Sequence, residues 1–216
     1  MNCYNIVLNY IDIIENDEPI FIEDVKKHVA TFYNGKDLTK VFNNVKAVLN
    51  RLKKEKKIAQ AEKGIYYKPT MTIWGRETVP PFHKIRRYKY IIDKDGNMKG
   101  YVTGAKLFNL MGLTTQVPRN MDIATNACPN NNKYEIDKYN VVIRKPKIKV
   151  TNDNYMYLQL LDILANNDRI HVEVENEEEI LYNYIEEYKL NFEKLLKYAR
   201  ETNNKKALNK LWILAR

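Results

Sequence analysis

The chain has 216 residues, of which 44% are hydrophobic and 29% are charged, and its formal net charge is +9. This composition is typical of a globular protein with enough material for one large domain or two small ones. The chain contains no serine, which excludes serine-based nucleophilic catalysis. Two cysteines and three histidines lie far apart without ligand spacing, so we expect neither a metal site nor a cofactor.

The charge is distributed unevenly along the chain. Residues 1–70 hold 12 basic and 9 acidic side chains, residues 71–150 hold 15 and 6, and residues 151–216 hold 9 and 12. A basic front and middle favour a polyanionic partner, and the middle region is expected to add to a DNA-facing surface or to meet RNA or an acidic partner. The chain has neither a signal-peptide pattern nor an apolar run of bilayer length, so we expect a cytoplasmic protein without a membrane partner.

The first 70 residues show the element order of a winged helix-turn-helix domain. Apolar spacing predicts helices over residues 3–15, 23–31 and 37–54, with a short β segment at 20–22 between the first two. Residues 58–61 and 65–69 flank Gly64 as two short strands, which predicts a β-hairpin. In this arrangement the third helix enters the major groove, and the hairpin is the wing.

The third predicted helix carries apolar residues at 38, 41, 42, 45, 48, 49 and 52, the spacing of one buried stripe. Asp37 is expected to cap its N-terminus. The opposite face holds cations and amides, which contact phosphates and base edges, although such a face can also be an ordinary solvated surface. The candidate DNA-binding residues are Lys36, Thr39, Lys40, Asn43, Asn44, Ala47, Arg51, Lys54 and, at the wing tip, Lys63.

These candidates are expected to have different roles. The residues expected to face the bases are Thr39, Lys40, Asn43, Asn44 and Ala47. Of these, Asn43 is expected to form hydrogen bonds with adenine through its side-chain amide. Arg51, Lys54 and Lys63 would hold phosphates, and Lys36 is a further candidate for this. A single winged helix contacts a short site, so specific binding is expected to need two copies on an inverted repeat. Whether these copies dimerise in solution or only on DNA is left open.

The rest of the chain, residues 71–216, is predicted to be a small mixed α/β domain that ends in C-terminal helices, which makes the fold class α+β. Prolines and Gly75 mark a linker over residues 69–81, with the domain boundary near Thr70. Helices are predicted over residues 82–90, 105–111, 152–165, 177–200 and 205–216. A strand is predicted over 121–126, and residues 141–144 and 147–150, on either side of Pro146, are predicted to form one or two more. The last two helices would close the core or present a partner surface.

Several short motifs are distributed along the chain. They are Gly64-Ile65-Tyr66-Tyr67-Lys68-Pro69, Trp74-Gly75 with Pro80-Pro81, Gly100-Tyr101-Val102-Thr103-Gly104, Gly112-Leu113-Thr114-Thr115-Gln116-Val117-Pro118 with Ala124-Thr125-Asn126, and Leu195-Leu196-Lys197-Tyr198-Ala199-Arg200. With these motifs the chain resembles the AbiEi-like antitoxins of bacterial type IV toxin–antitoxin systems. The resemblance extends over the whole chain, and its most specific motifs lie in the middle.

The resemblance implies two roles. The N-terminal domain would bind inverted repeats upstream of its own operon and repress it, and the C-terminal domain would counter a cognate toxin of the nucleotidyltransferase type. Direct contact with the toxin stays open, since type IV systems do not require a lasting complex. One alternative is a non-catalytic protein-interaction module that neutralises a toxin without binding DNA. An enzyme, such as a nuclease or nucleotidyltransferase, is disfavoured because the chain lacks a Gly-Ser motif and Asp93 and Asp95 lie in an expected turn.

Overall fold

The computed structural model describes residues 2–33, 37–75, 77–166 and 168–214. They form two compact units, Met1–Ile85 and Arg86–Arg216. The predicted α+β class is confirmed, with N-terminal helices, two small sheets and C-terminal helices. In the described ranges, no helix is both long enough and apolar enough to cross a membrane.

The first unit follows the predicted order of helix, short strand, two helices and hairpin. Its elements are α1 (Cys3–Ile13), β1 (Ile20–Phe21), α2 (Ile22–Ala30), α3 (Leu38–Lys54), β2 (Ala59–Glu62) and β3 (Ile65–Tyr67). The strands form one antiparallel sheet in the order β1-β3-β2. This order and pairing are compatible with a winged helix-turn-helix.

The three helices of the first unit pack around one apolar core. Val7 of α1, Val25 of α2 and Leu49 of α3 are completely buried in it. The hairpin is attached to this core because the backbone N–H of Ile22 donates to the carbonyl of Gly64 over 2.8 Å. Helices α1 and α2 thus pack against α3, and the hairpin that follows α3 is bonded to the start of α2.

The boundary between the units falls later than the one predicted near Thr70. The helix α4 (Phe82–Tyr90) begins within the first unit. There, Lys84 forms ion pairs with Asp17 over 2.6 Å and with Glu18 over 2.7 Å. These contacts join the segment before residue 86 to the loop that follows α1.

The second unit contains a four-stranded sheet and five helices beyond α4 in its described part. Its elements are β4 (Gly100–Thr103), α5 (Gly104–Leu110), β5 (Met121–Thr125), β6 (Tyr134–Ile136), a 3₁₀ turn (Asp137–Tyr139), β7 (Val141–Arg144), α6 (Tyr155–Asn166), α7 (Glu177–Glu187), α8 (Phe192–Glu201) and α9 (Lys205–Leu214). The strand order is β4-β5-β7-β6, in which β5 and β7 are parallel and the other pairs antiparallel.

Two predicted elements of the second unit are wrong. Residues 147–150 do not form a strand; they follow Pro146 as irregular chain, and the backbone N–H of Val150 donates to the side chain of Asn126. The single helix predicted over residues 177–200 is two helices, α7 and α8. Between them Lys189 has a positive φ of 48°, and the next residue, Leu190, turns into the apolar core.

The C-terminal helices close the core of the second unit, which is the first of the two arrangements predicted for them. Leu195 of α8 and Leu211 of α9 are completely buried with Leu160 and Ile163 of α6. Burial of a leucine of this kind contributes about 1.5–3 kcal/mol to folding, so these helices are integral to the unit.

Candidate nucleic-acid interface

The helix α3 separates an apolar face from a polar one. Val41, Val45, Leu49 and Leu52 are buried, and they recur at the three- and four-residue spacing of one helical face. The predicted base-facing and phosphate-facing residues of this helix lie on the other side and are all exposed. They are Thr39, Lys40, Asn43, Asn44, Ala47, Arg51 and Lys54.

The N-terminus of α3 is capped as predicted. The Asp37 carboxylate accepts a hydrogen bond from the backbone N–H of Thr39 over 3.0 Å. This carboxylate occupies the position where a helix N-terminus would otherwise attract a phosphate, so phosphate contacts at α3 fall to side chains. Lys36, the remaining predicted contact in this region, lies outside the described residues.

Lys40, Lys54 and Lys63 are exposed cations, and within the described ranges none of them forms an ion pair. An ammonium group without an acidic neighbour remains available to a phosphate. Lys63 lies in the two-residue turn between β2 and β3, where Gly64 takes up a positive φ of 78°. The hairpin therefore presents one cation at its tip, as the sequence predicts.

Arg51 differs from these lysines because it already has partners. Its Nε donates to the Glu55 carboxylate over 2.8 Å, and its guanidinium lies over the Tyr4 ring at 4.7 Å from the centroid. The bond from Arg51 lowers the pKa of Glu55, and Lys57 and the Tyr4 hydroxyl act in the same direction. The Glu55 carboxylate thus offsets part of the positive charge that Arg51 would offer to a phosphate.

Two further polar residues share this side of α3. Lys46 and Asn50 are exposed and follow Asn43 at three- and seven-residue spacing. Neither is among the predicted contacts, although the helical spacing does place Asn50 on the predicted polar face of this helix. Lys53, farther round the helix, instead donates to the side chain of Gln60 over 2.9 Å and joins α3 to the hairpin.

The chemistry of this face is that of hydrogen-bond donation and positive charge. It offers amides, a hydroxyl and ammonium groups, which are the groups that contact DNA phosphates and base edges. In the part of the chain that the structure describes, no group of three or more histidine, cysteine, aspartate or glutamate side chains could hold a metal ion. The exposed face of α3 with the tip of the hairpin is hereafter called the α3 face.

Comparison with known proteins gives a family and no function. No curated protein matches the chain. A family model described as "Family of unknown function (DUF6088)" matches residues 26–189, which include the α3 face and the whole sheet of the second unit. Because this match covers well over half of the sequence, the chain belongs to the DUF6088 family.

Proposed function

We propose that the protein is a DNA-binding autorepressor and antitoxin of a bacterial toxin–antitoxin operon, acting in the cytoplasm. It would bind inverted repeats in its own operator through the α3 face, one copy for each half-site. The resemblance to AbiEi-like antitoxins supplies the operon and the toxin in this proposal. A partner toxin would be countered in function, with or without direct contact.

A single observation carries the DNA-binding part of the proposal. The exposed side of α3 combines three amides with lysines that have no acidic partner among the described residues, and a further lysine lies at the hairpin tip. Amides in a major groove can distinguish adenine, and lysines can hold the phosphates on either side. An ordinary solvated helix would be expected to pair more of its cations with carboxylates along its length.

Footprinting with the full chain on DNA from upstream of its own gene tests this function. We expect two protected half-sites, related by inverted symmetry and separated by about one helical turn of roughly 10 base pairs or a multiple of it. Asn43→Ala should weaken binding to this site by about tenfold or more, the value of one bidentate base contact, and leave binding to unrelated DNA unchanged. Asn9→Ala, on an exposed position of α1, is the matched control. Absence of protected repeats would refute the operator role.

A second candidate function is toxin neutralisation through protein contacts alone. One observation favours it: the segment 71–79 exposes Ile73 at 92% and Trp74 at 81%, and exposed aromatic residues are enriched at protein interfaces. Growth rescue separates the two candidates when the chain is expressed with the nucleotidyltransferase-type toxin of a neighbouring gene. Rescue that is lost in Trp74→Ala, together with the absence of a footprint, would favour this second function.

A further inference from the structure

The second unit contains a cavity of about 630 Å³. It lies between one face of the sheet, the helix α6 and the turn that joins α8 to α9, with Lys147 and Ile148 contributing from the segment after β7. Small-molecule sites in proteins have volumes of about 300–1,000 Å³ and combine apolar walls with a few convergent polar groups. The size of this cavity is therefore that of a ligand-binding site.

The floor of the cavity is polar because of the strand register. Thr103 of β4 pairs with Asp122 of β5. Two residues along the sheet, Tyr101 and Arg144 pair with Ala124 from either side, so all four polar residues lie on one sheet face. The Asp162 carboxylate of α6 accepts hydrogen bonds from the Tyr101 hydroxyl over 2.9 Å and from the Thr103 hydroxyl over 3.1 Å, and it also pairs with Arg144. The positive charge of Arg144 is thus balanced within the floor.

The rim of the cavity carries a cationic excess. Lys206 forms an ion pair over 3.0 Å with Asp168, a residue that does not line the cavity. Burial raises the pKa of Asp122, the second carboxylate of the lining, and the positive charges of Lys133 and Arg144 oppose this rise. Two cations are left at the rim without a carboxylate among the described residues: Lys147, whose Nζ donates to the Thr202 carbonyl over 2.6 Å, and Arg169. Two cations match the charge of a phosphate monoester.

One wall of the cavity is apolar. Leu158, Leu161 and Ala165 recur on one face of α6, and Ile148 and Ile170 extend this surface on either side. A ligand that consisted of phosphate alone would leave this wall in contact with water. A ligand with a planar, poorly hydrated body beside its phosphate would use both the wall and the rim.

From these contacts we propose that the cavity binds a small phosphorylated molecule of nucleotide size. Lys147 and Arg169 hold its phosphate, and the wall that includes Leu158 and Leu161 packs against its body. The motif residues Tyr101 and Thr103 support the site from below by fixing Asp162 and, through it, Arg144. This site is separate from the α3 face and goes beyond operator binding.

Isothermal titration calorimetry on the full chain tests the proposal, with four nucleoside 5′-monophosphates (of A, G, C and U), inorganic phosphate and the matching uncharged nucleosides as probes. We expect at least one nucleotide to bind saturably, with one site per chain, more tightly than inorganic phosphate and more tightly than its nucleoside. Lys147→Gln with Arg169→Gln should weaken this binding by about tenfold or more, since each removes a charge-assisted hydrogen bond. Lys145→Gln with Lys149→Gln removes the same charge from exposed neighbouring positions and should change it by less than about twofold.

Each contrary result has a definite meaning. If no nucleotide binds at millimolar concentration, or if inorganic phosphate binds as tightly as every nucleotide, the proposal is wrong. Equal weakening in both double variants would assign the binding to diffuse surface charge and would overturn it as well. Unchanged thermal unfolding of the variants establishes that they are folded, as expected for substitutions of exposed side chains.

Discussion

The proposed role of the α3 face predicts how strongly the affinity for DNA depends on salt concentration. Replacing Lys40 and Lys63 by alanine removes one cation from the first turn of α3 and one from the hairpin tip, and neither has an ion-pair partner among the described residues. Alanine suits a helix, and the φ of Lys63 is not positive, so the double variant is expected to fold. Any change in DNA binding then reports the lost charges.

The magnitude follows from counterion release. Each phosphate that a lysine neutralises contributes about 0.9 to the slope of log K against log salt on duplex DNA. The double variant should therefore bind with a slope shallower by about 1.8 for each copy bound, and by twice that for two copies on a repeat. With a slope difference of about 1.8, raising the salt concentration from about 50 to 200 mM should reduce the ratio of wild-type to variant affinity by about tenfold.

Fluorescence anisotropy with a labelled operator duplex, titrated at four salt concentrations, measures these slopes. The control is the full chain with Lys194→Ala and Lys205→Ala, which removes the same charge from exposed positions of the second unit. The control should keep the wild-type slope. A double variant at Lys40 and Lys63 with an unchanged slope, or a control that loses as much, would refute the assignment of these lysines to phosphates.

Three further predictions concern carboxylates. Glu55→Gln should release Arg51, raise DNA affinity and steepen the salt slope by up to about 0.9, measured by the same titration. Asp162→Asn leaves the part-buried guanidinium of Arg144 without its counter-charge and should lower the free energy of unfolding in urea by about 1–3 kcal/mol. Burial raises the pKa of Asp122 above its ordinary value of 3.8. The protonated carboxyl is the form that burial favours, so the contribution of Asp122 to the free energy of unfolding is complete below pH 3.8. This contribution is lost as pH rises through the pKa of the folded protein. Asp122→Asn should therefore raise the unfolding temperature at pH 7 and not at pH 3.

Matched substitutions control for charge alone. Glu15→Gln makes the same charge change as Glu55→Gln at an exposed position of the first unit and should leave the salt slope unchanged. Asp153→Asn, also exposed, should alter the free energy of unfolding by less than about 0.5 kcal/mol. If Asp162→Asn were as mild as Asp153→Asn, the hydrogen bonds to Asp162 would carry no net stability.

The sequence predicts the first unit well because its signals are local. The apolar spacing of α3, the capping Asp37 and the turn at Gly64 each involve only a few neighbouring residues. The cap and the turn are present as predicted, and so is the apolar stripe except at Leu38, which is exposed. The Arg51–Glu55 pair was also within reach, since it has the i, i+4 spacing of helical ion pairs. Because Glu55 follows the last residue of the predicted helix, the predictions do not include this pair.

The second unit was predicted less well because its elements depend on distant partners. The strand β6 has three residues, and its pairing with β7 rather than its own pattern defines it. No strand is predicted over the residues of β4, yet they pair along their whole length with β5. No glycine or proline marks the break between α7 and α8, where burial of Leu190 decides the path. The cavity is lined by residues from three strands, α6 and the α8–α9 turn. No single segment of the sequence therefore predicts it.

The distribution of charge shows why a count of basic residues is a poor guide to the interface. Residues 71–150 carry the largest excess of positive charge, but three of their fifteen basic side chains are paired or buried within the second unit: Arg144 pairs with Asp162, Arg86 donates to the carbonyl of Tyr139, and burial lowers the pKa of Lys99. The first 70 residues have a much smaller excess, yet they present Lys40, Lys54 and Lys63 together with amides on the α3 face. Affinity for a polyanion depends on cations that can exchange water for phosphate, so the less basic segment is the stronger candidate for DNA.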